Sequence, residues 1–141
     1  MTSKLQYELI DHTADFGIRV CGNSAEDLFH NAAMAFMDQL VEASRPIEQQ
    51  TRQLRVEGYD YPDLMVNWLR EIHFLWVGEE LLVRSVLIEF LGDNNLSARV
   101  WVEAFSPQVH VIKTEIKAVT YHQIQVADVG QQWEARIIFD I

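Results

Sequence analysis

Trp133-Glu134-Ala135-Arg136-Ile137-Ile138-Phe139-Asp140-Ile141 is the stretch on which the fold turns. Trp133, Ala135, Ile137, Phe139 and Ile141 alternate with the remaining residues, the period of a strand with one apolar face. Burying that face would hold the last residue in place, where many chains fray. Asp140 would then point to the opposite side, beside the α-carboxylate of Ile141. Working backward, Asp128-Val129-Gly130 reads as a turn. Val119 to Ala127 supplies a partner strand, so the tail is expected to form a hairpin.

The same alternation recurs upstream. Leu82 to Leu91 and Leu96 to Phe105 flank Gly92-Asp93-Asn94-Asn95, a second hairpin. In its second arm Ala98, Val100, Val102 and Ala104 alternate against Arg99, Trp101 and Glu103. Pro107 marks a break, and Val109 to Lys117 is expected as a further strand at an edge. Near the start, residues 4 to 10 form a strand with Leu5, Tyr7 and Leu9 on one face. Asp11-His12-Thr13-Ala14-Asp15 bends, and Phe16 to Cys21 follows with Phe16, Ile18 and Val20 aligned. Gln53 to Val56 reads as a short strand.

Two segments carry helical spacing instead. Ser24 can cap a helix whose stripe includes Leu28, Ala32, Phe36 and Leu40, with Asp27 in the position of a capping-box acid. A second helix starts near Asp60-Tyr61-Pro62-Asp63, proline being tolerated in the first turn. It buries Leu64, Met65, Trp68, Leu69, Ile72, Leu75 and Trp76 and stops near Gly78. The expected fold is therefore α+β: one domain over residues 1–141, mainly antiparallel sheet of seven to eight strands, with two helices packed on one face.

Composition narrows the function. With 49% hydrophobic residues among 141, the chain has material for a core. Eleven basic against 21 acidic residues give a net charge of −10, which argues against nucleic-acid binding and against an anionic membrane surface. Such a chain suits cations or basic partner surfaces. One cysteine, Cys21, and a start without an apolar signal core point to the cytoplasm. Phosphate-binding glycine loops, nucleophile turns and cysteine-rich zinc patterns are absent from the sequence. His30 and His73 fit structural roles in helices. His122 shares a strand face with Ile124 and Val126, which suggests a half-buried imidazole. Trp101, in the polar phase of its strand, and Trp76, at a helix end, suit either a partner surface or packing.

Asp15 falls out of phase with Phe16, Ile18 and Val20, as Asp140 does with its own apolar face. If those strands are neighbours, Asp15, Asp140 and the Ile141 carboxylate could converge. Hard oxygens without cysteine suit Ca²⁺, Mg²⁺ or Mn²⁺. Spacing alone leaves the plainer alternative open, and favoured, in which each aspartate ends a strand or caps a turn. A stand-alone metal-dependent hydrolase using Asp15, Asp140 and His12 is a further alternative, as is a chaperone-like binding module with no metal.

At Asp11-His12-Thr13-Ala14-Asp15-Phe16-Gly17-Ile18, Lys117-Ala118-Val119-Thr120-Tyr121-His122 and the quoted ending, the sequence resembles the archease family. The Asp63 to Leu75 helix, with Trp68, Leu69 and Glu71, is also similar. The resemblance implies a small α+β protein that is not itself an enzyme. It implies assistance to an RtcB-type RNA-splicing ligase, promoting its guanylylation and multiple turnover in tRNA splicing or RNA repair. A tRNA cytosine methyltransferase is an alternative partner. The implied metal ligands are Asp15, Asp140 and Ile141; His12, Asp11 and His122 are candidate supporting residues outside that implied set. The implied ion is divalent, Ca²⁺ before Mg²⁺ or Mn²⁺.

Overall fold

The structure is a computed structural model that describes residues 5–11 and 15–141, the side chains of residues 11 and 15 excepted. In chain order the elements are β1 (Tyr7–Asp11), β2 (Asp15–Gly22), α1 (Ala25–Leu40), β3 (Gln50–Glu57), α2 (Tyr61–Glu79), β4 (Leu81–Leu91), β5 (Asn95–Ala104), β6 (Ala118–Val119), β7 (Gln125–Asp128) and β8 (Trp133–Asp140). They make two antiparallel sheets. One runs β1-β2-β8-β6, with β7 also paired to β8, and the other runs β3-β5-β4. The α+β expectation holds, with one refinement: each helix packs against strands of both sheets.

Local chemistry explains the helix limits. Ser24 Oγ accepts from Asp27 N at 3.1 Å, and the Asp27 carboxylate accepts from Asn23 N at 2.8 Å. One amide that the first turn of α1 would leave open is thereby satisfied, and the residue before the cap is tied to that turn. Asp60 caps α2 in the same way, accepting from Asp63 N at 2.9 Å. The stop of α2 differs from expectation. Gly78 lies inside the last turn, and the left-handed cap is Glu80 at φ 55°.

The core lies where helices and sheets meet. Trp68, Phe29, Phe36 and Phe139 are among its largest fully buried side chains. Full burial of side chains this size is worth roughly 1.5–3 kcal/mol each. The polar edge of Trp68 is satisfied, its Nε1 donating to Phe29 O at 2.9 Å. Trp76 follows the packing alternative, being half-buried and meeting Phe105 edge-on at 5.3 Å, while Trp101 is half-buried on its strand.

Two strand expectations are corrected. Residues 109–117 alternate in burial but form no ladder; Ile112 alone bridges, to Val41. Their polar groups go partly to the end of α1, where Lys113 N donates to Leu40 O at 2.8 Å and Glu42 N donates to Val111 O at 2.9 Å. This segment is a strap from β5 to β6. The strand expected over 119–127 is broken into β6 and β7. Thr120 Oγ1 donates to Ile138 O at 2.8 Å and accepts from His122 N at 3.2 Å, which starts a turn. Gln123 completes it at φ 52°. His122 therefore sits exposed in that turn, not half-buried beside Ile124 and Val126.

Candidate functional site

The end of the chain is held from both sides. On one side, β2 and β8 pair over eight residues, with Phe16 opposite Phe139 and Asp15 opposite Asp140. On the other, Ala118 pairs with Asp140, and Lys117 N donates to Asp140 O at 2.8 Å. Asp140 thus has ladder partners on both flanks. Phe139, fully buried, packs on Phe16 and Phe36 at ring separations of 5.4 Å each. An anchor of this kind fixes the residue that follows it.

Gly17 permits the close approach. A Cβ there would stand 2.6 Å from Ile137 O and 2.6 Å from Ile138 Cδ1. Any side chain would push the two strands apart, beside the Asp15–Asp140 pair.

Each candidate residue can now be placed. Positions 15 and 140 are direct cross-strand partners, and Asp11 pairs with Phe16 at the same end of the sheet. The Asp140 side chain is exposed, and Ile141 is 43% exposed. The bend at 12–14, with His12, lies outside the described residues, as do the side chains of Asp11 and Asp15. Among the described residues no three His, Cys, Asp or Glu side chains are grouped as a metal ion would need; that statement does not reach Asp11 or Asp15.

The donor chemistry at this end fits a hard cation. Like charges directly opposite in a ladder are unfavourable, and a cation bound between the two aspartate positions would relieve this. Carboxylate oxygens are the ligands that Ca²⁺ and Mg²⁺ take. The soft alternative has no support, since Cys21 is half-buried and burial raises its thiol pKa above the usual value, with Glu134 adding to the rise.

Other polar groups are engaged within the fold. His73 Nε2 donates to Ile116 O at 2.7 Å, tying the strap to α2. His30 Nδ1 faces Asn31 Oδ1 at 3.2 Å. Tyr121 OH donates to Asp63 Oδ1 at 2.6 Å, while the Arg70 guanidinium lies 4.7 Å from the Tyr121 ring centre. The residue that the alternation pattern misplaces is Glu103. It belongs to the polar phase of β5 yet is 1% exposed, held by Arg84 and His110. A polar residue in a polar phase gives no sign that a loop will close over it.

The Archease protein family (MTH1598/TM1083) matches residues 7–141. The chain belongs to the archease family. Relatives named Protein archease include one from Pyrococcus abyssi, 31% identical over 140 residues, covering 96% of this chain and 99% of the relative. Another, from Sulfurisphaera tokodaii, is 28% identical over 138 residues, covering 96% and 99%. The solution structure of Methanobacterium thermoautotrophicum protein 1598 superposes with a TM-score of 0.76 at 28% identity, covering 96% of this chain and 98% of that one. A Thermotoga maritima crystal structure, described as an archease and possible chaperone, matches at TM-score 0.61 and 20% identity over 94% of each chain, a likeness of fold alone. In this archease the matched region takes in both β2 and β8, the strands that carry Asp15 and Asp140. No helix among the described residues is long and apolar enough to cross a membrane.

Proposed function

We propose that this chain is a non-catalytic accessory of an RtcB-type RNA ligase, acting in the cytoplasm in tRNA splicing or RNA repair. Its contribution is an acidic tip that holds a divalent ion through Asp15, Asp140 and the carboxylate at Ile141. The observation that carries the reading is the register of β2 on β8, which makes Asp15 and Asp140 direct partners. Family membership gives the context, and a charge of −10 suits approach to a basic, RNA-binding enzyme.

The roles divide simply. The β2–β8 ladder and the β6 clamp hold the acidic positions rigidly. The carboxylates bind and orient the ion. Such an ion supplies charge stabilisation for phosphoryl transfer when placed in a partner's site. The bonds made and broken belong to the ligase, whose guanylylation the tip promotes. Ca²⁺ is the first choice of ion, with Mg²⁺ and Mn²⁺ as the others that hard oxygens accept.

The test is a guanylylation assay with the cognate ligase, GTP and divalent ion, with and without this protein. Stimulation by the wild-type chain and none by a folded Asp15→Ala variant is expected. Full stimulation by Asp15→Ala would refute the tip as the active element.

A further inference from the structure

We propose that Arg136, with Gln123 and Gln125, forms a binding site for a phosphate group on the outer face of the sheet that carries β8. The phosphate belongs to a nucleotide or to an RNA end. The site is separate from the acidic tip and does not depend on the ligase reading.

Register places the arginine. Arg136 pairs with Arg19 on β2 and with Gln125 on β7, and residues directly opposite share a face. Ala135 and Ile137, on either side of it, are fully buried in the core. Arg136 therefore points away from the helices, onto the face of Asp140, which lies roughly 13 Å further along β8. Across that face one row reads Glu8, Arg19, Arg136, Gln125. Two arginines side by side call for counter-charges, and Arg19 takes those at hand. It holds Glu8 at 2.7 Å and Glu134 at 3.7 Å. Among the described residues no carboxylate forms an ion pair with Arg136. Its Nε is buried without a hydrogen-bond partner, the only side-chain nitrogen or oxygen so left among the described residues. Buried polar groups are otherwise paired, so an orphan of this kind marks a missing partner.

A cleft gives that partner room. The chain spends residues 120–124 between β6 and β7, while β8 advances only from Phe139 to Arg136. The surplus leaves the ladder as the turn that holds Gln123 at φ 52°. Beside it opens a cleft of about 350 Å³ lined by Gln123, Ile124, Gln125 and Arg136, with no acidic side chain among them. Gln123 and Gln125 are exposed, so their amides are free to turn toward an occupant. The donors choose the ligand. A guanidinium presents two parallel N–H groups to two oxygens of one anion. The two side-chain amides add donors from the neighbouring turn and strand. Donors on three residues suit a tetrahedral phosphate, whose oxygens point in more directions than the two of a carboxylate. A net charge of −10 disfavours a broad phosphate-tracking surface but not a single site of this kind.

The test uses the full chain alone, at low salt and in EDTA, which removes divalent ions and so keeps the tip out of the measurement. The Arg136 Nε–H and glutamine amide resonances are followed by NMR during titration with inorganic phosphate, GTP and a phosphorylated tetraribonucleotide. Saturable shifts at Arg136 and Gln125 are expected, and the tighter of GTP and the oligonucleotide identifies the source of the phosphate. Arg136→Gln should weaken binding about tenfold or more, the effect of losing a charge-assisted forked contact. Gln125→Glu sets a carboxylate directly opposite Arg136 and should occupy it from within. It should weaken binding as much as Arg136→Gln without lowering the melting temperature, which separates a filled site from a damaged fold. Arg99→Gln removes an exposed cation of the other sheet and should change nothing. No shift at Arg136 with any of the three probes would overturn the site. So would undiminished binding by Arg136→Gln or Gln125→Glu, an equal loss with Arg99→Gln, or an affinity for acetate equal to that for phosphate.

Discussion

His110 Nε2 lies 2.7 Å from Glu103 Oε1, and both side chains are shielded from solvent. The same carboxylate oxygen meets Arg84 at 3.0 Å, and Oε2 accepts from Ile47 N at 2.9 Å. His110 Nδ1 accepts from Ser106 N at 2.9 Å, so the ring proton sits on Nε2 and donates to Glu103. One glutamate thus ties the start of the strap and residues 44–47 onto the second sheet. Glu103→Ala leaves a guanidinium, an imidazole and an amide without their partner. Removing one member of a buried pair costs about 3–5 kcal/mol. Urea unfolding should show a loss of that size with the slope unchanged.

Gly17→Ala should damage the site from a distance. The added methyl meets the Ile137 carbonyl and Ile138. Overpacking of this kind costs about 1–3 kcal/mol. Because the clash lies two residues from Asp15, amide exchange at 138–140 should accelerate more than exchange in the β3-β5-β4 sheet.

Burial, with Asp38 as hydrogen-bond acceptor, pushes the Tyr7 hydroxyl from 10.0 up to about 12. The neutral phenol is therefore the form that the fold prefers. Its contribution to stability is complete below pH 10.0 and is lost as pH rises toward 12. A stability–pH profile should fall across that window, and Tyr7→Phe should flatten the fall. The opposite sign holds for Asp63, whose carboxyl is kept below its usual range by the Tyr121 hydroxyl and then by the Tyr59 amide. Its contribution is present above the ordinary carboxylate pKa and is lost as pH drops through the lowered value. Tyr121→Phe should reduce the acid sensitivity.

A divalent ion bound at the tip should raise the melting temperature. At a free concentration 100 times its Kd, an ion that binds only the folded chain adds about 2.7 kcal/mol. Scanning calorimetry with Ca²⁺ and Mn²⁺ should show the rise in the wild-type chain and none in Asp140→Asn.

The regular strands were legible because their pattern is strict. Phe16, Ile18 and Val20 alternate, as do Trp133, Ala135, Ile137 and Phe139, and a slip by one residue would turn either apolar face to the other side. The alternation put Asp15 and Asp140 in equivalent phases, but that β2 and β8 are neighbours, with Asp15 opposite Asp140, came from the structure. The helices were legible from Ser24 as a cap, from proline in the first turn after Asp60, and from the spacing of Leu28 to Leu40 and Leu64 to Leu75. The strap was not. Residues 109–117 alternate as a strand does, but alternation says nothing about whether a partner strand exists. The break at 120–123 was hidden for a related reason. Thr120 favours a strand by propensity, and only its hydroxyl bonds to Ile138 O and His122 N turn the chain. Glu103 escaped because its burial depends on residues 44–47 and 105–110, distant in sequence and irregular in form. The family resemblance supplied what periodicity could not: a reason for two aspartates to stand opposite each other.

The central claim is that the paired acidic tip activates a partner ligase. It is tested most directly by guanylylation of the cognate ligase under multiple turnover, comparing wild-type chain with Asp140→Asn of matched melting temperature in the absence of metal. The account predicts strong stimulation by the wild type and a return to the unassisted rate with Asp140→Asn. Equal stimulation by both would contradict it.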